Sequence, residues 1–571
     1  MARLFEEHKK RKVINLDGIW NFKTDPDGEG EEKRYFDSLE TDGIAAVPSM
    51  WNIEKGLLEY EGCAWYQRDF FSDGGTLKLS FDGVMTKADV WLDGTYVGSH
   101  YGGFSHFDFI LNKVAAGDHR LTVRADNRFD AQSIPQNWVD WYHYGGITRS
   151  VSAEPLRGVC ILTNKVEYTL SEDMKSAKYN FVNTLYNAED VDVSTKLEYV
   201  LGGEVVYSTD VTLAAREKKT FVTPTLTLDK VKLWSCESPA LYDIRITTDT
   251  DDLYDRTGFR LVEVKDNKIL LNGKAIELRG VNRHEDHPEF GFAFPPSLMK
   301  RDIDIIVDMG CNTIRGSHYP NSKLFLDMLD KYGILFWSEI PIWGCGFSEA
   351  ALADEVVLSR GLEMHREMVE QYYNHPSIIF WGMHNEIHSE TQAGYEMSKL
   401  YYNFLKENGG NRIVTYASNT PMNDICFEFC DVISLNMYYG WYGGVKEDWD
   451  RFLRRFRERR DSLGFANKPV IMSEFGCAAL YGNHTFDNIP WSEEYQSELL
   501  SYAINAFHKD DMMVGFYVWQ YCDMRTCKPA GINRARGFNN KGIVNEYRKP
   551  KAAYFALSKL YHSFIEEEKN K

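Results

Sequence analysis

The stretch Ile378-Ile379-Phe380-Trp381-Gly382-Met383-His384-Asn385-Glu386 is a short apolar run that ends in an amide and a carboxylate. Its length and its aromatic and β-branched content predict a buried strand. A helical pattern follows over residues 393–407, then a second apolar run over 412–418, which is the strand-helix-strand signature of a parallel sheet. Working outward, the same punctuation recurs. Strands are predicted over 277–282, 313–318, 334–340, 378–386, 412–418, 431–438, 469–476 and 513–523. Helical patterns cover 297–309, 322–332, 355–373, 393–407, 446–463 and 493–508, and a last one covers 551–566. Eight such strands over roughly 300 residues predict a (β/α)8 TIM barrel, whose functional residues lie where the C-terminal strand ends meet the loops.

Upstream of the barrel the pattern changes to short alternating runs broken by Gly, Asp and Asn, as in 77–81, 88–92 and 120–125. Asp93-Gly94 between two such runs is a hairpin signal. This region predicts a jelly-roll β-sandwich. A second β-rich stretch, with alternation over 166–170, 195–201 and 242–247, has the length of a seven-stranded immunoglobulin-like sandwich. The expected division is a sandwich over 1–156, an immunoglobulin-like sandwich over 157–262 and a barrel over 263–571.

Composition narrows the function. The 571 residues are 43% hydrophobic and 26% charged, ordinary for globular chains, and the net charge of −19 argues against nucleic acid or anionic lipid as a partner. The charged N-terminus lacks a signal-peptide core, and no apolar run approaches the ~18 residues of a membrane span, so a cytoplasmic protein is expected. Ten cysteines without CxxC spacing read as reduced thiols. No catalytic metal or cofactor is expected. His384 and His388 lack the HExxH arrangement, His284 and His287 lack a third ligand, and GxSxG, Walker and GxGxxG motifs are missing.

Two carboxylates satisfy the strand-end rule: Glu386, and Glu474 in Met472-Ser473-Glu474-Phe475-Gly476. Alone, an acid at a strand end is more often a helix cap or a surface ion-pair partner than a catalyst. Facing each other across a barrel mouth at ~5–5.5 Å, two carboxyls suit a retaining glycosidase, one as nucleophile and the other as acid, then base. A negative charge at ~5.5 Å is worth roughly 3 kcal/mol at an effective dielectric of ~20, enough to keep the partner protonated near neutral pH.

Asn374-His375-Pro376-Ser377 leading into Asn385-Glu386, and Gly280-Val281-Asn282-Arg283-His284-Glu285-Asp286 on the first strand, resemble glycoside hydrolase family 2. Leu16-Asp17-Gly18-Ile19-Trp20 and Trp65-Tyr66-Gln67-Arg68 resemble its N-terminal sandwich. By this resemblance Glu386 is the acid/base and Glu474 the nucleophile. Within the family the resemblance is to the β-glucuronidases, carried by Asn436-Met437-Tyr438-Tyr439-Gly440-Trp441-Tyr442, residues 491–496, residues 144–150 and Asn539-Asn540-Lys541-Gly542-Ile543. It implies that Asn539 and Lys541, with Arg534 as helper, read a sugar carboxylate. Without the resemblance, Arg534, Arg536 and Lys541 read as a solvated basic loop. It further implies that Asp140 and His318 hold sugar hydroxyls, Asn385 bonds the 2-hydroxyl, Tyr438 orients the nucleophile, and Tyr442 and Trp519 line the pocket. Bland readings exist too: a core histidine for His318, barrel packing for Trp519, an interdomain packing loop for Asp140.

The implied substrate is a small-molecule or oligosaccharide β-glucuronide, and the family's habit implies a homo-oligomer, tetramer or dimer. Residues 284–288 resemble the β-galactosidase branch as much as the glucuronidases, which keeps a neutral-sugar specificity open; β-galacturonidase and β-galactosidase of the same family stand as alternatives. The segment 344–360 is short where relatives carry a long loop, which favours larger substrates. A non-catalytic carbohydrate-binding protein is the reading from a different class, and the presence of both carboxylates argues against it.

Overall fold

The computed structural model describes residues 3–570, and of Cys345 only the backbone. The first region is a sandwich of a four-stranded and a six-stranded antiparallel sheet, built from strands between Ile14–Asn15 and Val151–Leu156. The expected hairpin is there. Lys87–Leu92 and Thr95–Tyr101 are joined at Asp93 and Gly94, both at positive φ (51° and 74°), as a two-residue turn of this hand requires.

The second region stacks two antiparallel sheets. One edge strand is split into Lys218–Val222 and Leu226–Asp229, both pairing with Ser176–Asn187. Pro224, which lies in the break, has no N–H to give the ladder, so a single edge strand becomes two.

The third region is a closed barrel of eight parallel strands: β1 (Leu278–Arg283), β2 (Thr313–Gly316), β3 (Leu335–Glu339), β4 (Ile378–Asn385), β5 (Ile413–Ser418), β6 (Ile433–Asn436), β7 (Val470–Phe475) and β8 (Met513–Val518). Around it run α1 (Pro296–Asp308), α2 (Lys323–Tyr332), α3 (Glu355–Tyr372), α4 (Gln392–Asn408), α5 (Asp448–Ser462), α6 (Glu493–Lys509) and α7 (Ala552–Lys569). Between β5 and β6 there is only a short 3-10 turn, Phe427–Phe429. The strands are buried on both faces, which is why they read as apolar runs without alternation. No helix among the described residues is long and apolar enough to cross a membrane.

The first sandwich reaches into the barrel mouth through the segment that carries Val139 to Tyr144. Trp141 is buried there, with ring centroids 5.4 Å from His318 and 6.4 Å from Trp343. Arg149 donates to Glu285 (3.1 Å) and to the Pro320 carbonyl (2.8 Å), fixing the sandwich against the strand ends.

Candidate active site

The β4–β5, β6–β7 and β7–β8 pairings all slip register at their C-terminal ends, at Gly382/Asn385, Leu435/Asn436 and Met472/Phe475. Such bulges re-aim side chains next to functional sites. Glu386, directly after β4, has φ of 53°, a conformation disfavoured for a residue with a Cβ.

The two carboxylates belong to one hydrogen-bonded network. The Arg315 guanidinium on β2 donates to Glu474 (2.8 Å), bidentately to Glu339 (2.9 Å for both bonds), and to the Asn385 side-chain oxygen Oδ1 (2.8 Å). Tyr438 donates its phenol to the other Glu474 oxygen at 2.7 Å. The Asn436 amide donates to Glu386 (2.8 Å) and Asn385 (3.0 Å), while Ser473 donates to the Asn436 oxygen (2.7 Å), which fixes how that amide is turned.

Burial sets the electrostatics. Glu474 is buried, whereas Glu386 is partly open to solvent. Burial, then the Glu386 charge, push the Glu474 carboxyl up to about 8, against the pull of Arg315 and Tyr438. The two carboxyls are thus coupled: a charge on one strengthens the other's hold on a proton.

His318, fully buried, is lowered to about 4, chiefly by burial. It is therefore neutral. Glu339 can only accept, so His318 Nδ1–H donates to it (2.7 Å) and Nε2 is left as an acceptor. Nε2 of His318, Nε2 of His284 and Nδ2 of Asn385 are buried and without a hydrogen-bond partner among the described residues. Such groups carry a cost unless a ligand meets them. Trp519, buried, stacks on His318 at 5.2 Å.

A second cluster lies beyond β8. Asn539 is fully buried and Lys541 is 2% exposed, so neither sits on a solvated loop, whereas Arg534 is half-buried and Arg536 is exposed and pairs with Glu546. The Asn539 side-chain oxygen accepts from the Lys541 N–H (3.3 Å), which turns the amide donor outward to Asp140 (3.1 Å). Asp140 also pairs with Arg534. The Lys541 ammonium donates to Tyr442 (2.8 Å) and lies over the rings of Tyr442 and Tyr438, 4.9 and 5.6 Å from their centroids. Tyr442 itself is exposed, and Tyr438 joins this cluster to Glu474. The segment around Asp140 has a double character: Trp141 and Tyr142 pack between domains while Asp140 faces the basic residues.

Sequence reasoning missed Arg315, Glu339, Asn436 and His284 as parts of this site. The strand-end rule could have found the first three, because each lies within the last two residues of its strand. Of the histidines tested for metal ligation, His384 bonds Ser398 (2.9 Å) and His388 faces Glu390 at the surface. Elsewhere, Asp327, Asp330 and His375 have ligand-type atoms within 4.8 Å of one another. Protein donors already serve them: Arg3 on Asp327 (2.7 and 2.9 Å), and His375 with the Ser377 N–H on Asp330 (2.6 and 3.0 Å).

Comparison with known proteins agrees with this architecture. Models of glycosyl hydrolases family 2 match the sugar binding domain over residues 13–155, the middle domain over 161–260 and the TIM barrel domain over 262–565. The chain is 28% identical to a β-glucuronidase of Streptococcus agalactiae, covering 95% of both proteins. It is 29% identical to a β-galactosidase of Thermoanaerobacterium thermosulfurigenes, covering 97% of this chain and 77% of that protein. A solved family 2 β-galacturonidase from Eisenbergiella tayi, bound to galacturonate, superposes with a TM-score of 0.92 at 35% identity, over 99% of each chain.

Proposed function

This chain belongs to glycosyl hydrolase family 2 and is a glycoside hydrolase, and from that premise we propose that it is a retaining exo-β-glycosidase releasing a hexuronic acid, D-glucuronate in the first reading. The observation that carries the substrate class is the buried Lys541 ammonium on Tyr442 and over Tyr438, which bonds Glu474, together with the Asn539 amide and Arg534 gathered on Asp140. A uronic acid differs from a neutral hexose by one carboxylate, and taking it out of water requires a cation and hydrogen-bond donors.

In the mechanism the pair Glu386 and Glu474 shares one proton. Glu474, held by Arg315 and Tyr438, attacks the anomeric carbon as a carboxylate while Glu386 gives its proton to the departing glycosidic oxygen. The carbon–oxygen bond to the aglycone breaks and an ester to Glu474 forms. With the Glu474 charge gone, Glu386 takes a proton from water, whose oxygen displaces Glu474, and the original state returns. Asn385 Nδ2 is suited to the 2-hydroxyl, His318 Nε2 accepts from another hydroxyl, and Asp140 holds a further one. Trp519 forms the floor. The Asp140 segment and the loop after β8 close the far end, which suits removal of one terminal residue.

A second reading, β-D-galacturonides, is favoured by the likeness to the Eisenbergiella tayi enzyme, which exceeds that to the Streptococcus agalactiae glucuronidase in identity. Both share the carboxylate and differ at C4. The test is p-nitrophenyl β-D-glucuronide and β-D-galacturonide hydrolysis between pH 4 and 8, with the first-formed anomer followed by NMR. Release of the β-anomer first is expected. Turnover of neither uronide would overturn the substrate class, and an α-anomer formed first would overturn retention.

A further inference from the structure

A fully buried ion pair outside the reacting network is unused by the mechanism above. Lys551 precedes α7 and Asp523 follows β8; they are 0% and 1% exposed and 2.8 Å apart. All three ammonium hydrogens of Lys551 are directed: to Asp523, to the Ala479 carbonyl (2.7 Å) and to the Asn540 carbonyl (3.1 Å). The same Asp523 oxygen accepts the Gly542 N–H at 2.9 Å.

Two of these bonds, to the Asn540 carbonyl and from the Gly542 N–H, end on the peptide groups that flank Lys541. The Asn540 carbonyl also accepts from the Ala479 N–H (3.0 Å), which stitches the loop after β7 to the loop after β8. The Lys541 carbonyl accepts from the Gln520 N–H (3.1 Å) and from Gln496 Nε2 (3.3 Å). A Cβ at Gly542 would lie 2.2 Å from the Asp523 nitrogen, so this close approach of the two backbones requires glycine.

Stability alone does not call for such a pair. Two charges taken out of water lose hydration that their attraction repays only with good geometry, and well-packed apolar residues of equal volume often serve as well. What the pair adds is direction. It aims two donors and one acceptor at three backbone atoms, and misplacing a binding group by about 1 Å can cost on the order of 10²-fold in rate.

We propose that Asp523 and Lys551 are positioning residues for substrate specificity: they hold the Asn539–Lys541 backbone so that the Asn539 amide and the Lys541 ammonium converge on the sugar carboxylate. The inference rests on the uronide reading above.

The test is Lys551→Met and Asp523→Asn, assayed on the p-nitrophenyl β-uronide that the wild type prefers, with thermal unfolding measured in parallel. Lys551→Met is expected to raise KM about tenfold or more while kcat stays within about threefold. Asp523→Asn keeps an acceptor for the Gly542 N–H and is expected to raise KM about threefold; it carries the comparison should Lys551→Met fail to fold. A merely structural pair would lower the folded fraction, and with it kcat, at unchanged KM. That result, or unchanged KM and kcat together, overturns the inference alone. Wild type inactive on both uronides overturns the reading it rests on, and the inference with it.

Discussion

The two ends of the pocket are built differently. At the reacting end, Glu474, Arg315, Glu339, Asn385 and Asn436 all lie on barrel strands, their backbones fixed by parallel ladders and their charges paired within one network. At the end proposed to read a sugar carboxylate, Asp140 comes from the first sandwich, while Arg534, Asn539 and Lys541 come from the chain after β8. The first end is scaffold; the second is grafted onto it. Chemistry common to many glycosides belongs on the scaffold, and discrimination between them belongs on loops that can change without disturbing it.

This contrast predicts that damage at one end spares no substrate, while damage at the other is selective. Glu474→Ala should have the largest effect, on the order of 10⁴-fold or more in kcat on every glycoside, and residual turnover near wild type would remove Glu474 from the nucleophile's place. Lys541→Ala should lower kcat/KM for the uronide by roughly 10²-fold, the worth of a lost charge-assisted contact, while any β-galactoside activity changes little. Equal losses on both substrates would show that Lys541 does not read the carboxylate.

Tyr438 touches both ends, and Tyr438→Phe should cost roughly tenfold in kcat through the lost bond to Glu474. The pH profile should show the smallest effect near its optimum. With the Glu474 carboxyl pushed up to about 8, the shared proton is kept below that pH and lost above it, so kcat/KM should decline on the alkaline side. Tyr438 lowers this value, so its removal should move the alkaline limb upward. A downward move would contradict the assignment.

The same contrast governs what the sequence made legible. The barrel could be read because strands such as Ile378–Asn385 are buried on both faces and so lack polar alternation. Glu386 and Glu474 followed from their places at strand ends. Arg315 and Glu339 satisfied the same rule, yet single charged residues inside apolar runs resemble caps or ion pairs until their partners are known. Asp140 could be suggested only by resemblance, because its neighbours Arg534 and Asn539 lie 394 and 399 residues further along the chain and meet it only when the sandwich docks. The split edge strand at Pro224 and the direct β5–β6 connection are local matters that pattern reading resolves poorly. The net charge of −19 describes the whole surface and says nothing of a pocket whose far end gathers Lys541 and Arg534.

The most direct measurement is kcat/KM of the wild-type enzyme on p-nitrophenyl β-D-glucuronide, β-D-galacturonide and β-D-galactoside, side by side in one buffer. At least one uronide is expected to exceed the galactoside by about 10²-fold or more, with the two uronides separated by recognition at C4. A galactoside rate equal to or above both uronides would contradict it.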